Sequence, residues 1–280
     1  MQLRSACASV AFMLIVAGHE GAASAAPKQR SVLALQTPIQ RSIERGRTMY
    51  LYDRAAWVTS DDIITRLPHD RGPEVGGWVV TPKATGFHVD YFGKSAAADR
   101  VVYAADVNGP TVSNATVYPA SAEPTLNGPA LQMARALRAA WTEVSRHPDW
   151  HPCTNARFNT IVLTPELNGT VPVYFLTPQT EGNSFPFGGH FEVDIGADGR
   201  TVSTRAFTRS CFNMTKPPPS ADSSLAMMFL THSLDHQPTE IHVFEQYYVG
   251  VPVVVGIIDP RSFWKVENGT IQDVSDQVKQ

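Results

Sequence analysis

Short runs of β-branched and aromatic residues, separated by Gly, Pro, Asn and Asp, place the strongest constraint on how this chain can fold. Three such runs follow one another at residues 75–82, 86–93 and 100–107. Runs of this kind, bounded by turn formers, are typical of strands joined by short connections. After residue 153 almost every segment has the same texture, and Asp198-Gly199 is a strong tight-turn signal. The sequence therefore predicts predominantly antiparallel β-sheet.

Seven further segments are predicted to contain strands: residues 156–165, 171–178, 189–195, 201–211, 226–235, 240–258 and 263–271. Residues 108–129 are rich in turn formers and are interpreted as a connection. The segment around Ser184 is interpreted as a hairpin loop, with no G-x-S-x-G spacing that would mark a hydrolase nucleophile.

Helical patterns precede both groups of strands. Thr37 is a suitable N-cap for a helix that has Pro38 at its first position. Apolar residues recur at helical spacing in this segment: Ile39, Ile43, Tyr50 and Trp57. A second short helix is predicted at residues 59–68, capped by Ser60 or Asp61.

The clearest helix begins after Asn127 and ends before Pro148. Its apolar stripe, spaced by three and four residues, consists of Leu131, Ala134, Leu137, Trp141 and Val144. We expect this stripe to be core, with Trp141 enclosed.

The order of these elements favours an α+β fold in which a predominantly antiparallel β-sheet packs with one long and one or two shorter helices. The predicted divisions are a signal peptide at residues 1–25, an N-terminal α+β region at residues 26–122 and a C-terminal α+β region at residues 123–280. The two α+β regions are either separate or one continuous domain.

The N-terminus has the order of a secretory signal peptide. Arg4 is followed by an apolar run at residues 6–17 and then by small residues. That run is shorter than the roughly 20 residues needed to span a bilayer. Ala23-Ser24-Ala25 fits the cleavage rule, so the mature chain is predicted to begin at Ala26, to be periplasmic or secreted, and to keep no integral membrane segment.

The cysteines agree with export. Apart from Cys7 in the predicted signal peptide, the chain contains only Cys153 and Cys211. An even number of cysteines in an oxidising compartment predicts a disulfide between them. A catalytic or metal-binding thiol is the alternative, and no Cys-x-x-Cys spacing supports it.

The charge pattern and the motifs exclude several classes of function. The formal net charge is −3 and no block of like charges occurs, so no nucleic-acid partner is expected. Walker A, H-E-x-x-H, G-x-G-x-x-G and EF-hand patterns are absent from the sequence. No cofactor is predicted, apart from weak binding of a divalent metal.

Two groups of polar residues could carry chemistry. Strand alternation places His190, Glu192 and Asp194 on one face, which is interpreted as an exposed polar face or, alternatively, as a cation or acid–base site. Residues 229–244 are predicted to form a hairpin with its turn near Gln237-Pro238, with His232 opposite His242.

That predicted hairpin would bring His232 and His242 within reach of one metal ion, with Glu240, His236 or the distant His190 as further ligands. The alternative is that the histidines are ordinary half-buried residues, and the shortage of ligands favours weak or absent metal binding.

Two hypotheses about function follow. The first is a non-catalytic, exported module that binds a small molecule or an envelope protein. The second is a metal-dependent hydrolase that uses the histidines at 232–242 with His190 or Glu192. The second requires His190 to lie close to the other histidines in a concave pocket.

Overall fold

A computed structural model describes residues 37–94, 98–218 and 224–278. Over these ranges the fold is α+β with mainly antiparallel sheets, which confirms the predicted fold class. The predicted signal peptide and the predicted mature start at Ala26 lie outside the described residues. Within the described residues, no helix combines the length and the hydropathy needed to cross a membrane.

The α-helices in these ranges are α1 (Pro38–Arg66), α2 (Gly128–Val144), α3 (Glu240–Val249) and α4 (Ser275–Val278), and a 3₁₀ helix spans His69–Glu74. The strands are β1 (Val75–Pro82), β2 (Phe87–Gly93), β3 (Val101–Asn108), β4 (Thr111–Val117), β5 (Asn159–Val162), β6 (Val171–Leu176), β7 (Ser184–Pro186), β8 (Phe191–Ile195), β9 (Thr201–Ala206), β10 (Asn213–Thr215), β11 (Met228–His232), β12 (Val253–Ile257), β13 (Ser262–Glu267) and β14 (Thr270–Asp273).

The described strands form four sheets. The first sheet has the order β1-β2-β3-β4 and the second has the order β5-β6-β8-β9, both antiparallel. The third sheet has the order β11-β12-β13-β14, in which β11 and β12 are parallel. Strands β7 and β10 form a separate antiparallel pair. The main hydrophobic core contains residues from both sides of residue 123, among them Met49 and Phe175.

Helix α1 begins as predicted, with Thr37 and Gln40 forming a reciprocal capping box and Pro38 at the first position. The prediction of a second helix at residues 59–68 is wrong, because α1 continues without a break to Arg66. No Gly or Pro separates the two predicted helices, so nothing in the sequence ends the first one. Trp57, predicted to lie on the apolar stripe, is half exposed.

Helix α2 packs mainly on the second sheet, and Asn127 is its N-cap as predicted. Its buried arc includes Ala134, Leu137 and Val144, but Trp141 remains 41% exposed, so its predicted enclosure is wrong. The arc also contains Met133 and Ala140, which shifts its centre and leaves Trp141 at the edge. There the indole packs edge-on against Phe175, with 4.8 Å between ring centroids.

Two short segments interpreted as loops contain strands. Strand β4 lies within the predicted connection at residues 108–129, where it forms an exposed sheet edge. Few side chains of β4 are buried, so its sequence lacks the apolar run that would predict a strand. Asn114, in the middle of the strand, adopts a positive φ of 51°. Strand β7 includes Ser184, which was assigned to a hairpin loop.

The predicted hairpin at residues 229–244 is wrong. Strand β11 ends at His232, and the following residues lead into helix α3. Thr239 is the N-cap of α3 with a capping box, and Gly250 ends the helix in the left-handed conformation with φ 69°. Helix α3 therefore connects the parallel strands β11 and β12, and eight of its ten residues are buried.

The disulfide between Cys153 and Cys211 is confirmed, with Cα atoms 5.3 Å apart. It joins the segment after α2 to the residues just before β10. Gly189 passes directly beside it with φ 73°, and a Cβ at this position would lie 2.5 Å from Cys153 Sγ. The backbone can pass the disulfide there only because the residue has no side chain.

Candidate functional site

A cavity of about 570 Å³ lies beside α1 and α3, and its wall also includes residues of β1, β5, β6, β7 and the segment 177–182. We call it the aromatic cavity, because its lining includes the aromatic side chains of Trp57, Trp78, Phe185, Phe244 and Tyr248. Three carboxyl groups also line it: Asp53 from α1, Glu245 from α3 and Glu181 from the segment between β6 and β7. Its size and mixed lining are typical of small-molecule sites.

Asp53 is held by neutral hydrogen-bond donors. Asn159 donates from Nδ2 to its Oδ1 at 2.6 Å, and the Tyr248 hydroxyl donates to its Oδ2. Burial raises the pKa of Asp53, while the hydrogen bonds from Tyr248 and Asn159 act in the opposite direction. The same burial, together with the nearby Asp53 charge, raises the pKa of Tyr248. The hydroxyl of Tyr248 therefore remains a donor.

Glu245 differs from Asp53 because its carboxyl receives no hydrogen bond from any described residue. Its exposure is 3%, and burial raises the pKa of Glu245 well above its ordinary value, with a further rise from the Asp53 charge. The nearest basic atom is His190 Nε2 at 3.9 Å. A nearly buried carboxyl with a shifted pKa beside a cavity is a feature of functional sites.

His190 is fixed as a neutral imidazole beside this cavity. The backbone N–H of Thr177 donates to Nδ1 at 3.3 Å, so Nε2 carries the proton and donates to the Pro186 carbonyl at 2.7 Å. Burial lowers the pKa of His190 to about 4. The interpretation of His190 and Glu192 as part of an exposed strand face is wrong, since both are buried, while Asp194 is partly buried.

The structure places His232 and His242 next to each other, but His232 lies on strand β11 and His242 on helix α3, rather than on two strands of a hairpin. Their rings are nearly perpendicular, with centroids 4.9 Å apart. His232 Nε2 contacts Asp235 Oδ2 at 2.7 Å, and His242 Nδ1 accepts from the Thr239 backbone N–H at 3.0 Å. Burial, followed by the His232 charge, lowers the pKa of His242 to about 3.

The other predicted metal ligands lie in separate environments. His236 contacts the Asp259 carbonyl, while Glu240 accepts a hydrogen bond from Tyr174 at 3.0 Å. Across residues 37–94, 98–218 and 224–278, no group of three or more His, Cys, Asp or Glu side chains is arranged to hold a metal ion.

Beyond the cavity lies a second buried polar group, the Arg45 cluster, which consists of Arg45, Tyr174, Glu192 and Glu240. Arg45 donates to Glu192 at 2.6 Å and to Tyr174 at 3.1 Å. Burial and the charge of Glu240 raise the pKa of Glu192 to about 7, against the opposing effect of Arg45. The cluster ties α1 to β8 and α3, so it positions the same two helices that line the cavity.

Sequence reasoning missed the residues that make the cavity, namely Asp53, Glu245 and Tyr248. The helix signals of α3 were present in Thr239 and Gly250, and recognising them would have placed Glu245 on a helix. Its burial beside Asp53 depends on contacts between distant segments.

The chain matches no protein-family model, no curated protein and no solved structure in comparisons of all three kinds.

Proposed function

We propose that the protein is an exported, non-catalytic module that binds a small molecule in the aromatic cavity. The observation that carries this proposal is the cavity itself, with a volume of about 570 Å³, an aromatic lining and three carboxyl groups. Sites for small molecules combine a mostly apolar lining with a few placed polar groups in this way. An envelope protein as partner is the alternative outcome.

The arrangement of polar groups favours binding over catalysis. A nucleophilic mechanism needs a nucleophile hydrogen-bonded to a base. Two of the lining hydroxyl groups have other partners: Ser60 contacts the Tyr91 hydroxyl at 2.8 Å, and Thr177 Oγ1 donates to the backbone carbonyls of Gly188 and Gly189. Neither hydroxyl contacts a histidine.

Export is supported by the signal-like N-terminus and by the disulfide. Disulfides persist mainly in oxidising compartments such as the periplasm and the extracellular space. The Cys153–Cys211 bond therefore agrees with the periplasmic or secreted location that the sequence predicts.

The metal-dependent hydrolase is kept as a second candidate because the His232 and His242 rings are 4.9 Å apart. Backbone N–H groups already donate to Nδ1 of His242 and of His190, which removes these lone pairs from coordination. Elemental analysis of untagged protein tests it: stoichiometric zinc that is lost in His232→Ala would favour the hydrolase over the binding module.

The test of the main proposal is a thermal-shift screen with a blocked variant. Gly182 lines the cavity, and an added Cβ there meets no atom within 4 Å. Gly182→Trp is designed to fill the cavity, and Gly72→Trp is the matched control at another open glycine. We expect compounds that stabilise the wild type and Gly72→Trp but not Gly182→Trp. A library without any such compound would refute the proposal.

A further inference from the structure

The aromatic cavity has a one-sided charge. Three carboxyl groups line it, those of Asp53, Glu181 and Glu245, whereas no Lys, Arg or His is among its described lining residues. We propose that its ligand is an organic cation, a molecule whose amine or quaternary ammonium group binds between the aromatic rings and the carboxyl groups. This inference rests on the proposed function and names its class of ligand.

The aromatic lining is suited to a cation. The faces of indole and phenol rings attract ammonium and guanidinium groups, and cages of such rings recognise quaternary ammonium ligands. One ring of the cavity already makes this interaction, since the Arg54 guanidinium lies 4.3 Å from the centroid of Trp57. The remaining rings, from Trp78, Phe185, Phe244 and Tyr248, line the cavity itself.

Glu245 is the carboxyl group with which such a cation would pair. Its carboxyl is buried, lines the cavity and accepts no hydrogen bond from the described residues. The neighbouring His190 does not serve as a counter-ion, because its Nε2 proton is directed to the Pro186 carbonyl. An ammonium group in the cavity would supply a hydrogen-bond donor and a positive charge, which together favour the ionised form of Glu245.

Asp53, which lines the cavity from α1, supports the same inference. Both of its oxygens already accept hydrogen bonds from the neutral side chains of Asn159 and Tyr248, which orient the carboxylate. An anionic ligand would find no Lys, Arg or His among the described lining residues, whereas a cation would favour the ionised form of the carboxyl groups. Neutral polyols could also stack on these rings, and the experiment separates them from cations.

The experiment is the same screen, carried out with a library that holds equal numbers of cationic, neutral and anionic compounds of matched size. It includes choline, benzyltrimethylammonium, glucose and benzoate, and for each quaternary ammonium the neutral isostere with carbon in place of nitrogen. Affinities of the compounds that Gly182→Trp fails to bind are then measured by titration calorimetry.

We expect the cavity-dependent compounds to be cations that bind at least tenfold more tightly than their neutral isosteres. Glu245→Gln and Asp53→Asn should each weaken binding at least tenfold. Asp61→Asn removes an exposed carboxyl group from α1 that does not line the cavity, and it should leave binding unchanged. Circular dichroism confirms that each variant is folded.

The outcomes separate the two proposals. Cavity-dependent compounds that are neutral or anionic, or cations that bind no better than their isosteres, overturn the inference and leave the binding function in place. Equal binding by Glu245→Gln and Asp53→Asn also overturns it. If no compound binds in a cavity-dependent manner, the proposed function itself fails, and the inference fails with it.

Discussion

Gly46 of α1 and Val243 of α3 approach so closely that a Cβ added to Gly46 would lie 2.6 Å from the Cβ of Val243. The same added atom would lie 2.5 Å from the backbone oxygen of Glu240. The backbone of α1 at Gly46 therefore packs directly against the Val243 side chain of α3. Arg45, the residue before Gly46, belongs to the Arg45 cluster, and two turns further along α1 Asp53 lines the aromatic cavity.

Gly46→Ala should force α1 and α3 apart. Overpacking a close contact of this kind costs about 1–3 kcal/mol in the free energy of unfolding. Urea denaturation measures the change. Gly72→Ala is the control, because an added Cβ there meets nothing within 4 Å. Equal stabilities of the two variants would show that the helices are not in close contact at Gly46.

Arg45→Met should be strongly destabilising. It leaves the buried carboxyl groups of Glu192 and Glu240 without their cation, and removing one partner of a buried ion pair costs about 3–5 kcal/mol. Chemical denaturation of the purified variant measures this loss. Arg47→Met, on an exposed position of the same helix, should change the stability little. A wild-type midpoint for Arg45→Met would contradict the buried ion pair.

The double variant Cys153→Ser, Cys211→Ser should unfold more easily than the wild type. The two cysteines are 58 positions apart, and the chain-entropy model gives about 4 kcal/mol for closing a loop of this length. The free energies of unfolding of the variant and of the oxidised wild type provide the comparison. Reductant should lower the stability of the wild type and leave that of the variant unchanged; an effect on both would show that the reductant acts elsewhere.

Glu245→Gln should remove part of the pH dependence of stability. Burial, and then the Asp53 charge, raise the pKa of Glu245 above its ordinary value of 4.5. The folded carboxyl keeps a proton that the unfolded chain releases. Its contribution is fully present below pH 4.5 and is lost as the pH rises toward the raised pKa, by about 1.4 kcal/mol per pH unit. The titratable groups close to it are Asp53 on α1 and His190 before β8.

The measurement is the difference in unfolding free energy between wild type and Glu245→Gln at several pH values from 4.5 upward. The variant should gain stability relative to the wild type as the pH rises. Taking the difference removes the contribution of Glu192, whose pKa is also raised, to about 7. Glu181→Gln is the control, because it removes the same carboxyl group from an exposed position. A parallel slope for Glu245→Gln would mean that this carboxyl is ionised in the folded protein.

The sequence was informative where local chemistry decides the structure. The runs at residues 75–82, 86–93 and 100–107 became β1, β2 and β3, because turn formers bound each of them. The capping of α1 by Thr37 and the start of α2 at Asn127 were predicted for the same reason.

Helix α3 was mistaken for a strand because its composition is rich in β-branched and aromatic residues. A helix that is buried on nearly every side has no polar face, so its periodicity gives no signal. Only the caps at Thr239 and Gly250 marked it. The aromatic cavity was beyond sequence reasoning, since its wall combines segments that approach each other only in the folded chain.

The hydrogen bond from Tyr248 to Asp53 joins residues that are 195 positions apart, one made early and the other late in synthesis. A nascent chain that has been translated only as far as Thr239 contains Asp53, Trp57 and Trp78 but has neither Glu245 nor Tyr248. It can therefore gain no stabilisation from a ligand that needs both walls, because mass action favours only the state that binds. Protease resistance conferred by such a ligand would thus distinguish full-length chains from chains truncated at Thr239.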